Sequence, residues 1–205
     1  LQQAVQYDPN RAEHHLYVAW AANEAGQPGV AESAIEKALE IDRNLGDAYW
    51  QRGVLMQKRG QTLDALEELA IALEKNPSRS EAYATMALCY MDQSKYADAR
   101  SAWQKAIEGN GTMPEWHYRL AKILVDDGDR QLAATHLLKA VEILAERKQT
   151  PGWLWNVQFL LGESLRASDP KRALQAYKEF KRLAGSDNAY YLDAERAIEE
   201  LDERP

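Results

Sequence analysis

The chain has 205 residues, 45% of them apolar, and 25 Lys and Arg stand against 32 Asp and Glu for a formal net charge of −7. That is enough apolar material for a core, and the acidic balance excludes a nucleic-acid binder that works by neutralising phosphates. A single cysteine, Cys89, excludes an intrachain disulfide and any multi-cysteine zinc site. Alanine is plentiful and β-branched residues are sparse, which reads as helix rather than sheet. No run approaches the ~18 apolar residues of a membrane span. The opening LQQAVQYDPN has neither the basic nor the apolar region of a signal peptide. The compartment stays open between cytoplasm and periplasm.

From Ala12 the sequence repeats every 34 residues, giving units 12–45, 46–79, 80–113 and 114–147 with no insertion. Position 8 of the unit reads Ala19, Gly53, Ala87 and Ala121; position 20 reads Ala31, Ala65, Ala99 and Ala133. Position 27 reads Ala38, Ala72, Ala106 and Ala140, and position 24 is large: Ile35, Leu69, Trp103 and Leu137. Small residues at 8 and 20 let two helices of one unit approach closely, and position 27 must be small where the second helix meets the next unit. The large residue at 24 fills the space between. Position 15 reads Gly26, Gly60, Ser94 and Gly128, where a turn between the two helices needs a residue that tolerates positive φ.

Before Ala12, residues 1–11 fall on positions 24–34, so they read as the second helix of a truncated repeat and the chain as a piece of a longer array. After 147 the register slips. Residues 148–184 form a degenerate repeat, with helices expected near 153–166 and 170–184, Leu161-Gly162 at positions 7 and 8, and one residue missing from the turn. Asp169 is its expected N-cap and Pro170 its first helical residue. Residues 185–205 are a capping helix, about 187–202, and a tail. Ala189, Leu192, Ala197 and Leu201 are expected on the apolar face of that helix.

This pattern resembles the tetratricopeptide repeat family across essentially the whole chain. Tyr49, Gly53, Met56, Ala65, Leu69, Ala72 and Pro77 match the family's preferences in one unit. Tyr83, Met86, Ala87, Tyr90, Ala99, Trp103 and Ala106 match them in the next. Arg52, His117, Arg43 and Gly111 depart from them. The resemblance implies an all-α, right-handed α-solenoid of antiparallel helix pairs closed by a C-terminal capping helix. It also implies that first helices line a concave groove through positions 2, 5, 6, 9, 12 and 13. Carried onto this chain, the groove holds Leu16, Tyr17, Trp20, Trp50, Val54, Gln57, Leu88, Met91, Tyr118, Arg119 and Lys122. Trp20, Trp50, Tyr17 and Tyr118 occupy positions that the repeat's packing does not use, and large exposed aromatics mark binding surfaces. The alternative is that upstream repeats or the last helix cover them.

Relatives that bind chaperone tails carry a clamp of Lys, Asn and Arg for a terminal carboxylate. Of the corresponding residues here only Arg119 matches, so an acidic chaperone C-terminus is disfavoured. The groove suits instead a helix or extended segment with apolar anchors and an acidic end that faces Arg119 and Lys122.

No catalytic pattern stands out. His14, His15, His117 and His136 show no metal-ligand spacing, Cys89 has no histidine partner by spacing, and Asp126-Asp127-Gly128-Asp129 lacks the length of a calcium loop. Gly109-Asn110-Gly111 is a connector. Lys171, Arg172, Lys178, Lys181 and Arg182 make one basic helix, read as a solvated face rather than a patch for a membrane or acidic partner. The expected function is a non-catalytic scaffold binding a protein or peptide, without cofactor, metal, nucleic acid or membrane span, in a bacterial assembly of envelope, secretion or motility type. One rival reading is a regulatory or substrate-recruiting arm of an enzyme whose catalytic domain lies upstream of Leu1. Another is self-association through the exposed N-terminal repeat face.

Overall fold

The computed structural model describes residues 8–203, so the helix expected over residues 1–11 lies largely outside the described residues. Among those described there are eleven α-helices and no strand. They fall into two compact units, one ending at Gly109 and the other beginning at Asn110.

The first unit holds three helix pairs: α1 (Ala12–Glu24) with α2 (Pro28–Ile41), α3 (Gly46–Lys58) with α4 (Thr62–Lys75), and α5 (Ser80–Asp92) with α6 (Tyr96–Gly109). The second holds α7 (Pro114–Asp126) with α8 (Arg130–Glu146), α9 (Leu154–Leu165) with α10 (Pro170–Ala184), and the single helix α11 (Tyr191–Asp202).

The turn inside each of the four regular pairs is built the same way. After α1, Gly26 N–H donates to the Asn23 carbonyl and Gln27 N–H to that of Ala22; the same two bonds recur from Gly60 and Gln61, from Ser94 and Lys95, and from Gly128 and Asp129. This pair of bonds ends a helix when the residue at its close turns left-handed. Position 15 does so each time, with φ of +67° at Gly26, +77° at Gly60, +57° at Ser94 and +84° at Gly128. Ser94 adopts this conformation with a Cβ, which L-residues resist.

The small and large positions interlock as the repeat requires. The alanines at positions 20 and 27 are buried, and so are Ile35, Leu69, Trp103 and Leu137. A Cβ on Gly53 would lie 2.8 Å from Leu69 Cγ and 3.3 Å from the Ala65 carbonyl, so this helix pair needs its glycine. Arg52, where the family prefers leucine, is balanced across the same pair by Glu68 at 2.7 Å.

The last pair follows the same logic with different residues. A Cβ on Gly162 would lie 2.7 Å from Tyr177, which is fully buried, and Ala173 is buried beside it. The shorter turn closes with Asp169 N–H donating to the Leu165 carbonyl. The Asp169 carboxylate then accepts the Arg172 N–H at 3.1 Å, and Pro170 opens α10, as the sequence predicts. At the place of the buried alanines stands Phe180, also fully buried, in an aromatic cluster with Trp155 and Phe159.

The final helix differs from expectation. It begins at Tyr191, not near 187, because the Asn188 side chain accepts the Tyr190 N–H at 3.0 Å and holds a turn there. That turn stacks Tyr190 on Phe159 with ring centroids 4.6 Å apart. The buried face is Ala194, Ala197 and Leu201, a run at helical spacing. Leu192 is 62% exposed and Ala189 is exposed, because the five-residue step from 192 to 197 leaves the face.

Candidate partner-binding surface

In the N-terminal unit, α1 presents two large aromatics to solvent. Tyr17 is 57% and Trp20 is 54% exposed. Leu16 is 6% exposed and belongs to the core with Ala12, Ala19 and Ile35, so it serves as a floor rather than a free side chain. Between α1 and α3 lies a cleft of about 390 Å³. Tyr17, Trp20 and Leu16 form one side, and Leu45, Trp50 and Gln51 the other. Glu13, Asp47 and Arg79 rim it. Gln51 is fixed by donating from Nε2 to the Leu16 carbonyl at 3.3 Å, which joins the two helices at the base.

The equivalent face of α3 is closed. Trp50 is half-buried against the core around Leu69 and Cys89. Its indole N–H donates to Thr85 Oγ1 at 3.3 Å, and the Arg79 guanidinium lies over its ring, 4.1 Å from the centroid. Arg79 is itself held by Asp47 at 3.4 Å and Glu81 at 3.3 Å. Val54, Leu88 and Met91 are half-buried, and Gln57 Nε2 donates to Asp92 at 3.0 Å.

In the C-terminal unit, Tyr118 is stacked on Trp153 with rings 5.0 Å apart and nearly coplanar, and its hydroxyl donates to Asn156 at 2.8 Å. Arg119 donates twice to Glu115, at 2.8 and 2.6 Å, and Lys122 is exposed with its ammonium 5.9 Å from the Tyr118 ring centre. Of the four aromatics that the repeat positions nominate, Tyr17 and Trp20 are thus open while Trp50 and Tyr118 have intramolecular partners.

Repeat position 2 is acidic in every regular unit: Glu13, Asp47, Glu81 and Glu115. Each of these carboxylates meets an arginine: Arg11 at Glu13, Arg79 at Asp47 and Glu81, Arg119 at Glu115. The Arg11–Glu13 pair is the loosest, with side chains 59% and 52% exposed. An exposed pair of that kind is worth well under about 1 kcal/mol.

The remaining titratable candidates are accounted for by packing. His117 Nε2 donates to the Gly111 carbonyl at 3.0 Å, which leaves its Nδ1 to accept from His136 Nδ1, also at 3.0 Å. His15 to Pro9 and Tyr49 to Arg43 make the same contact six residues back, so position 4 ties α1, α3 and α7 to the segments that precede them. Burial holds both His117 and His136 below the ordinary histidine range, His136 at about 4, so the pair is neutral. Cys89 is buried, and burial pushes its thiol up to about 11, leaving no thiolate for chemistry. The basic helix α10 is tied into ion pairs, Lys178 with Asp202, Lys181 with Glu195 and Arg182 with Glu179. No group of three metal-ligating side chains occurs among the described residues, and no described helix is long and apolar enough to cross a membrane.

A family model described as tetratricopeptide repeat matches residues 51–111 and again 85–148. PilF of Pseudomonas aeruginosa superposes with a TM-score of 0.76 over 95% of this chain and 86% of that one, at 20% identity. This chain is a tetratricopeptide repeat protein. A second solved structure is similar over 95% of this chain and 97% of its own: YrrB, described as a TPR protein with an unusual peptide-binding site, with a TM-score of 0.69 at 17% identity. At these identities the likeness is one of fold. Superkiller protein 3 of Schizosaccharomyces pombe is 24% identical over 159 residues, which cover 71% of this chain. The chain spans about a tenth of the length of that curated relative. The tetratricopeptide array is an all-α solenoid of the kind that serves as a protein-interaction scaffold, and the fold is typically non-catalytic.

Proposed function

We propose that this tetratricopeptide protein is a non-catalytic scaffold that seats a partner helix or extended peptide on its first-helix face, with Tyr17 and Trp20 as anchors. The observation that carries this reading is the pair of half-exposed aromatics beside the α1–α3 cleft, at positions the repeat's own packing leaves unused. Rigid aromatics lose little entropy on contact and supply most hot spots. The setting in this proposal is a bacterial multiprotein assembly of envelope, secretion or motility type; the fold itself occurs in a bacterial protein, PilF of Pseudomonas aeruginosa.

The test is selection of random displayed peptides on the whole chain, followed by measurement on a Tyr17→Ala/Trp20→Ala variant. Selected peptides should lose at least about tenfold in affinity, the effect of removing one or two hot spots. Peptides that bind the variant as well as the parent would sink the reading. Light scattering over a concentration series separates this from self-association.

A further inference from the structure

The surface that the proposed function uses also carries a charge signature. Residues 1–109 contain 11 Lys and Arg against 16 Asp and Glu, so this unit is acidic as a whole. Its position-2 carboxylates Glu13, Asp47 and Glu81 sit on the first helices, beside the aromatics.

Arg79 shows what such a surface holds. Its guanidinium lies over the Trp50 ring and pairs with both Asp47 and Glu81, a cation on an aromatic face with two carboxylates. One repeat earlier Glu13 and Asp47 hold the places of Asp47 and Glu81, the equivalent of Arg79 is Leu45 and that of Trp50 is the buried Leu16, while Tyr17 and Trp20 stand exposed further along α1. Leu45 and Arg79 have the same backbone, φ −73° and ψ 89° at Leu45 against φ −74° and ψ 86° at Arg79. Arg79, at the rim of the cleft, is held by Asp47 and Glu81, so Glu13 is the rim carboxylate with only a weak partner, the exposed Arg11, and it lies on the helix that exposes Tyr17 and Trp20.

We infer that the α1–α3 cleft takes an extended peptide segment in which an arginine or lysine sits next to an apolar side chain. The apolar group enters between Leu16, Leu45 and Trp20, and the cation lies on Tyr17 or Trp20 facing Glu13. This assignment rests on the groove reading above, and it replaces the acidic-ended ligand expected from Arg119, which Glu115 already engages.

The experiment uses the whole chain and three labelled peptides of alternating residues: leucine with arginine, leucine with glutamine, and leucine with glutamate. Fluorescence anisotropy should rank them in that order, with the glutamate peptide at least about tenfold weaker than the arginine one. Glu13→Gln should weaken the arginine peptide about five- to tenfold and leave the glutamine peptide unchanged. Glu67→Gln, which removes the same charge from α4, should change neither. Trp20→Ala should weaken both. Equal loss in Glu13→Gln and Glu67→Gln would reduce the effect to net charge and overturn the assignment. Binding of the glutamate peptide as tight as that of the arginine peptide would overturn it as well, as would absence of binding by any peptide. The groove reading survives those charge results while Trp20→Ala still weakens binding, and falls with the assignment where Trp20→Ala changes nothing.

Discussion

Helices α1 and α3 are the same element one repeat apart, yet one keeps its aromatics open and the other closes them. The aromatics stand at different repeat positions: Trp50 at position 5, where α1 has the buried Leu16, and Tyr17 and Trp20 at positions 6 and 9, where α3 has Gln51 and Val54. The residue that closes each repeat adds to the difference. Leu45 ends the first repeat and turns toward the core beside Ile35 and Ala48, so nothing from it reaches the carboxylates. Arg79 ends the second, and its long side chain returns over Trp50 to Asp47 and Glu81. The residue at position 34 thus adds a cover over Trp50 on α3 and none over the aromatics of α1.

The largest effect that tests this contrast is on stability. Trp50→Ala removes a half-buried indole, its hydrogen bond to Thr85 and the seat of Arg79, and should cost about 2–3 kcal/mol in denaturant unfolding. Tyr17→Ala and Trp20→Ala should each cost less than about 0.5 kcal/mol, the usual range for surface positions. Equal losses on α1 and α3 would erase the distinction.

A smaller effect comes from position 4, where His15 and His117 both bond to a connector carbonyl but only His117 meets a second histidine. Burial lowers both imidazoles of that pair in the folded chain, so the unfolded chain binds protons first as pH falls. The pair's contribution is complete above the ordinary histidine value near 6.5 and is lost as pH drops toward the folded value of about 4 for His136. His136→Ala should flatten that part of the profile of melting temperature against pH, relative to the parent. An unchanged slope would mean that the two rings titrate without coupling to folding.

The pattern of small and large residues made the helix pairs legible from sequence, because close approach excludes side chains at Gly53 and at the buried alanines. Even the degenerate pair was legible through Gly162 and Ala173, the one facing Tyr177 and the other buried beside it. What the repeat positions could not show was any contact that depends on the course of a connector or an irregular segment. Arg79 on Trp50 depends on the path of a connector, and the stacking of Tyr118 on Trp153 depends on the irregular entry to α9. Spacing placed His117 and His136 in one repeat but did not pair them; the structure joins them across a helix pair as it joins Arg52 and Glu68 across another. The late start of α11 turned on one asparagine side chain, Asn188, that apolar spacing does not register.

Exchanging the position-34 residues bears on the central claim most directly. In the whole chain, Leu45→Arg should lay a guanidinium into the α1–α3 cleft, as Arg79 lies on α3. Affinity for the leucine–arginine peptide, read by anisotropy, should fall at least about tenfold, and the melting temperature should stay within about 2–3 °C of the parent, since the arginine stem can cover the same apolar floor. Undiminished peptide binding in Leu45→Arg, with the fold intact, would contradict the account.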